Sequence, residues 1–155
     1  MTVQEVIQAL RDTKSAHMLT EGATDEELHD CEEVTGLAIP GEYRTFLRFT
    51  NGALLYETED ILGTRSFWSD AETIPEVVGR LRQAGEGPLP LDLLPFYSRP
   101  GGRYTCLVLS QRHSEDTAAV VEWTEQDGIV GPAFDSFGQW FKTVLYDEYH
   151  SRYVR

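Results

Sequence analysis

Positive charge is what this 155-residue chain has least of: 13 Lys and Arg face 26 Asp and Glu, and the lysines are only Lys14 and Lys142. A formal net charge of −13 argues against binding to nucleic acid, which needs a basic footprint. It argues equally against adhesion to anionic lipid. A charged partner should therefore be basic. The preference for Arg over Lys reads as coding composition and carries no mechanism. Disorder is disfavoured, because 41% hydrophobic and 11% aromatic residues suffice for a core. A chain of this length buries roughly 70% of the surface it exposes when unfolded, and a single domain over residues 1–155 is expected.

Other absences narrow the chemistry. The longest apolar runs, such as Leu93-Leu94-Pro95-Phe96-Tyr97, fall far short of the ~20 residues that span a bilayer. Glu5, Arg11, Asp12 and Lys14 interrupt the first twenty residues, so no secretory signal is expected and a cytoplasmic location is. Cys31 and Cys106 lack C-x-x-C spacing. They read as buried free thiols in a reducing compartment, with one long-range disulfide as the alternative. His17, His29, His113 and His150 stand singly, outside any H-E-x-x-H or similar spacing, so no metal is expected. No G-x-S-x-G elbow, Walker loop or G-x-G-x-x-G fingerprint occurs, and Cys106 sits in an apolar stretch where a thiol is inert packing. Neither catalysis nor a cofactor is expected.

What the chain does have is acid in two places. Residues 21–33 hold Glu21, Asp25, Glu26, Glu27, Asp30, Glu32 and Glu33, net −7, and residues 57–76 hold Glu57, Glu59, Asp60, Asp70, Glu72 and Glu76 against Arg65, net −5. The rest of the chain is close to neutral. Acids at the start of a helix complement its dipole, which accounts for Asp25, Glu26 and Glu27. Glu26, Asp30 and Glu33 instead fall at i, i+4 and i+7, a like-charged ridge that costs roughly a few tenths of a kcal/mol per pair. That ridge and the acidic strand turn of Glu57, Glu59 and Asp60 are the candidate partner-binding residues. Phe67 and Trp68 lie outside any periodic stripe and are candidate apolar anchors beside that turn. For Trp68 the alternative is a core lid under a loop.

Periodicity organises the remainder. Val3, Val6, Ile7 and Leu10 predict an amphipathic helix over 2–12. Thr24 and Glu27 form a capping box, with Ala23 and Leu28 as a staple. Leu28, Cys31 and Thr35 share an inner face, and Gly36 supplies the stop. Pro40 suits the first turn of a third helix with inner stripe Tyr43, Phe46, Leu47 and Thr50, closed by Asn51-Gly52. Ala53 to Thr64 reads as two short strands. Thr73 and Glu76 cap a helix carrying Val77, Val78, Leu81 and Ala84. Strands are expected over 91–97, 103–110 and 117–124, with turns at Arg99-Pro100-Gly101-Gly102 and Gln126-Asp127-Gly128. Ser136 and Gln139 cap a last helix striped by Phe137, Trp140, Phe141, Val144, Leu145 and Tyr149. The Tyr146, Tyr149 and Tyr153 tail has two conceivable seats, its own domain or a second copy. The order predicts an α+β fold, a largely antiparallel sheet of about five or six strands packed with helices from both ends of the chain. One turn invites a ligand: Gly101 and Gly102 between Arg99 and Arg103 could cradle an anion with backbone N–H groups, although a plain strand-joining turn has the same composition.

Four blocks carry a resemblance. Ala23-Thr24, Glu32, Gly36 through Leu47 and Asn51-Gly52 resemble the opening of the SUKH superfamily, the yeast cell-wall-assembly regulator and its bacterial relatives. Leu94-Pro95-Phe96 with Gly101-Gly102-Arg103-Tyr104-Thr105-Cys106-Leu107 is similar to the family's proline–phenylalanine and glycine-turn block. Val120-Val121-Glu122-Trp123 matches its next strand, and Asp135 through Phe141 its terminal helix. The match runs over about 23–145, leaving 2–12 and 146–155 as extensions. Arg103 and Ser110 depart from it, since relatives often carry acids there. The resemblance implies a non-enzymatic binding module. Bacterial members are held to be immunity proteins that block a cognate polymorphic toxin, often a nuclease, by direct binding. The alternative it implies is a regulatory scaffold for endogenous protein partners.

Overall fold

Two capping boxes start the first long helices. In α1 (Val3–Asp12) the Thr2 hydroxyl accepts from the Glu5 N–H at 3.2 Å, and Glu5 accepts from the Thr2 N–H at 2.7 Å. Thr24 and Glu27 repeat the exchange at 3.1 and 3.0 Å for α2 (Asp25–Thr35). Each box satisfies two backbone donors that a helix start leaves open. Gly36 ends α2 at φ 69°, a left-handed conformation that suits glycine, and the Arg82 guanidinium donates to the Thr35 carbonyl at 2.7 Å. Pro40 stands one residue outside α3 (Gly41–Phe49) as its N-cap. Thr50 is a correction to the predicted stripe: it is the buried C-cap of α3, and its hydroxyl donates to the Gly52 carbonyl at 2.7 Å.

In this computed structural model the described residues are 1–67, 71–85, 87–112 and 114–153. Trp68, Asp70 and His113 lie outside them. The strands are β1 (Met18–Leu19), β2 (Ala53–Leu55), β3 (Glu59–Ile61), β4 (Leu93–Arg99), β5 (Arg103–Arg112), β6 (Ala118–Thr124) and β7 (Gly128–Phe134). They form one antiparallel seven-stranded sheet in sequence order. The α+β prediction holds, with the strand count raised from five or six. The strands the sequence hid are the edges. β1 is too short for a period, and β7 carries Gly131 and Pro132, which read as turn residues but are tolerated on an edge where one row of N–H groups has no ladder to join.

Helices cover both faces. Ser98 pairs with Tyr104 and Tyr97 with Thr105, so strand alternation puts Tyr97 and Tyr104 on opposite sides. Below Tyr104 lies α4 (Ile74–Arg82), capped by Thr73 and Glu76 as predicted, whose Arg80 donates to the Tyr104 hydroxyl at 2.7 Å. Above Tyr97 lies Trp140, ring centroids 5.0 Å apart. The C-terminal helix begins at Ser136, whose hydroxyl accepts from the Gln139 N–H at 3.1 Å, and runs as α5 (Phe137–Trp140), a π-helical turn (Phe141–Tyr146) and α6 (Asp147–Tyr153). Tyr43, Phe46, Phe96, Phe137 and Trp140 pack in one aromatic cluster at centroid distances of 4.8–6.3 Å. Burying each such ring is worth about 2–3 kcal/mol. Helix α1 closes this side against α3 and α5. Among the described residues no helix is long and apolar enough to cross a membrane.

Candidate functional site

The segment between β3 and α4 is pinned at both ends. Asn51, fully buried at the end of α3, accepts from the Thr64 N–H at 2.7 Å and donates to the Thr64 hydroxyl at 2.8 Å. Gly63 bridges Thr73, and its carbonyl accepts from the Ile74 N–H at 2.9 Å. The two ends of this connection are therefore held at nearly one point, with Thr64, Arg65 and Pro75 beside α2. Arg65 leans onto α2. Its Nε meets Glu27 at 2.5 Å, its outer nitrogen lies 3.9 Å from Glu21, and its guanidinium stacks 4.5 Å from the Phe67 ring. The two acidic segments meet at this contact.

Much of the acidity there is already paired. Asp25 holds Arg48 at 2.5 Å, and Glu32 holds Arg44 at 2.6 Å while accepting from the Ile39 N–H at 2.7 Å. Glu33 lies 3.2 Å from His29. Glu26 and Asp30 are exposed and make no ion pair among the described residues. Beside them a groove of about 190 Å³ runs between α2 and the pinned segment, floored by Cys31, Val34 and Pro75 and flanked by Glu27, Asp30 and Arg65.

The strand-turn acids divide differently. Glu57 is exposed at the β2–β3 tip, where it and Tyr56 adopt φ of 68° and 48°. Glu59 and Asp60 point to opposite faces of the sheet. Glu59 is occupied inside the molecule, its carboxylate accepting from the Tyr97 and Tyr149 hydroxyls at 2.6 Å each. That contact answers where the C-terminal tail sits: Tyr149 stacks on Tyr56 at 5.0 Å and Tyr153 packs tilted against it at 5.6 Å within the same chain. The Tyr149 hydroxyl is pushed up to about 12, first by its bond to Glu59, so it stays a donor at neutral pH. Glu59→Gln should loosen α6, costing about 1–2 kcal/mol and speeding proteolysis or amide exchange within residues 147–153. Unchanged protection of that segment would refute the latch. Asp60 lies on the α4 side, where burial and then the nearby Glu72 push its carboxyl up to about 6. The sequence thus grouped three acids that the fold sends to three different surroundings.

Two other candidates resolve locally. Arg99 and Arg103 both turn to Glu122 on β6, at 3.2 and 3.9 Å, and so are held beside that strand by a carboxylate. Cys31 and Cys106 are free and buried. Burial pushes the Cys31 thiol up to about 12 and raises that of Cys106 as well, far from the thiolate a nucleophile requires. Phe67 is half-buried beneath Arg65, which makes it part of the seam rather than a bare anchor. Sequence reasoning missed Arg65, Val34 and Pro75. A signal for Arg65 existed, since it is the single base in an otherwise acidic run of twenty residues. Nothing in the sequence marked Val34, an apolar residue at an exposed position.

No curated protein matches the chain. Among solved structures, a protein from Pseudomonas syringae pv. tomato superposes with a TM-score of 0.68 at 21% identity, covering 91% of this chain and 96% of that one. At that identity the likeness is one of fold. The family SUKH_5, described as SMI1-KNR4 cell-wall, matches residues 3–146, a range that includes α1. With the match spanning nearly the whole chain, the protein belongs to the SMI1-KNR4 family of the SUKH superfamily.

Proposed function

We propose that the protein is a non-enzymatic binding module, an immunity protein that neutralises a cognate toxin, a basic nuclease, by docking on it through the face formed by α2 with Thr64, Arg65 and Pro75. The observation that carries this reading is the meeting of the two acidic runs at Arg65, where Glu26 and Asp30 remain exposed and without a basic partner among the described residues. A nuclease must present positive charge to hold phosphates. An acidic face opposite such a cleft accelerates encounter and selects basic partners over acidic ones. The buried, high-pKa thiols support binding over catalysis.

Co-expression with the nuclease domain encoded beside the gene should restore growth, and the two purified proteins should form a complex. The absence of both rescue and a complex would sink the proposal. Within a complex, Glu26→Lys combined with Asp30→Lys should slow association about tenfold at low salt, with the difference shrinking as salt is raised. Both sites are exposed, so stability should move by less than about 0.5 kcal/mol. The family description of a cell-wall type favours a second reading, a regulatory scaffold. That reading expects partners recovered from resting cells and no rescue from any toxin.

A further inference from the structure

Within that binding face, and resting on the proposal that it engages a basic protein, the 190 Å³ groove between α2 and Thr64, Arg65 and Pro75 has a chemistry narrower than general acidity. Its apolar lining is Val34, 72% exposed, half-buried Pro75 and buried Cys31. Asp30 stands at its rim and makes no ion pair among the described residues. Next to it the molecule already seats a guanidinium, because Arg65 lies between the Glu27 carboxylate at 2.5 Å and the Phe67 ring at 4.5 Å.

We propose that this groove receives one arginine side chain of the protein partner, its methylene stem on Val34 and Pro75 and its guanidinium at Asp30, beside the internal Arg65. Arginine fits better than lysine for two reasons. Its planar fork matches a carboxylate bidentately, and a weakly hydrated guanidinium can be stacked and partly desolvated. Its three-carbon stem covers apolar surface while the head stays at the polar rim. Arg65 already shows the same combination of carboxylate pairing and ring stacking. It also satisfies Glu27, so an incoming cation is directed to Asp30. One wall is held in place by the Asn51–Thr64 bonds, and a site fixed before binding loses less entropy on docking.

The test uses the full chain and does not need the toxin. Hexa-arginine titrated into isotope-labelled protein should give saturating amide shifts at Asp30, Val34 and Thr64, with hexa-lysine weaker and hexa-glutamate silent. Val34→Lys, which lays the chain's own cation in the groove, and Asp30→Asn should each weaken hexa-arginine at least tenfold, while Glu125→Gln on the distant β6–β7 turn leaves it unchanged. Equal binding by wild type, Val34→Lys and Asp30→Asn, or shifts spread evenly over all exposed acids including Glu125, would overturn the proposal. Val34 is a solvent-facing helix position, and an unchanged circular dichroism spectrum confirms the variant's fold. The two readings separate cleanly. Hexa-arginine seated at Val34 with no toxin complex removes the immunity role and keeps the groove. A toxin complex indifferent to Val34→Lys removes the groove and keeps the role.

Discussion

Gly63→Ala is expected to destabilise the protein by about 3 kcal/mol and to displace Thr64 and Arg65 from their place beside α2. A Cβ at Gly63 would lie 2.2 Å from the Asn51 carbonyl oxygen and 2.6 Å from its carbon, and both are backbone atoms that cannot rotate away. Overpacking of this kind costs about 1–3 kcal/mol. The only relief is to push Asn51 outward, which strains its two hydrogen bonds to Thr64, and an unmade buried bond costs about 1–3 kcal/mol more. For a chain of this size that is a fall in melting temperature of roughly 6–12 °C. Gly79→Ala is the matched control, because nothing lies within 4 Å of its added Cβ and it sits inside α4. It should stabilise by about 0.5–1 kcal/mol through helix propensity. Equal melting temperatures for the two variants would show that the crossing of Asn51 and Gly63 is not tight.

Acidification is expected to weaken the β2–β3 hairpin through His17. The imidazole Nδ1 accepts from the Tyr56 N–H at 2.8 Å, which leaves Nε2 carrying the proton and facing the Thr13 hydroxyl at 2.7 Å; that hydroxyl donates in turn to the Ala9 carbonyl at 2.8 Å. A second proton on Nδ1 would set donor against donor. Burial holds the imidazole down at about 4, against 6.5 in the free side chain. A histidine held neutral in the folded state contributes stability that is fully present above pH 6.5 and is lost as pH falls from 6.5 toward 4. With the ring partly solvated, that loss should be about 1–2 kcal/mol.

Asp60 works in the opposite sense. Its carboxyl is raised to about 6 from 3.8, so its burden is present above pH 6 and is relieved as pH falls from 6 toward 3.8. Melting curves of Asp60→Asn should therefore show a steeper acid loss than wild type, and those of His17→Asn a shallower one. A His17 ring that titrates near 6.5 by NMR, or identical acid slopes in all three proteins, would contradict the assignment. Tyr149 and Tyr153 pack on Tyr56, so the tail should loosen in the same pH window.

Legibility in the sequence followed the range of the forces involved. The capping residues Thr24, Thr73 and Ser136 and the stop at Gly36 act within a few residues, and each took its predicted place, while Thr50 and Ala84, the last residues of their predicted stripes, fall just beyond their helices. The central strands declared themselves by β-branched and aromatic content. The edges β1 and β7 did not, because an edge strand needs neither a buried pattern on both faces nor a free N–H at every position. The return of the tail onto Tyr56 left no periodic trace, since it depends on a contact between residues about ninety positions apart.

The same division applies to the candidate site. The sequence by itself determined the sign of the charge, its concentration in two runs and the membership of the SUKH superfamily through short blocks in order. It could not decide which acids are free. Charge adds along a chain, but pairing is settled in space: Arg44, Arg48 and Arg65 come from other elements to meet Glu32, Asp25 and Glu27, and strand alternation sends Glu59 inward to two tyrosines while Asp60 faces Glu72. Only the tertiary structure joined the two acidic runs at Arg65 and left Glu26, Asp30 and Val34 open beside the groove, because Coulomb attraction and apolar contact act over a few ångströms whatever the separation in sequence.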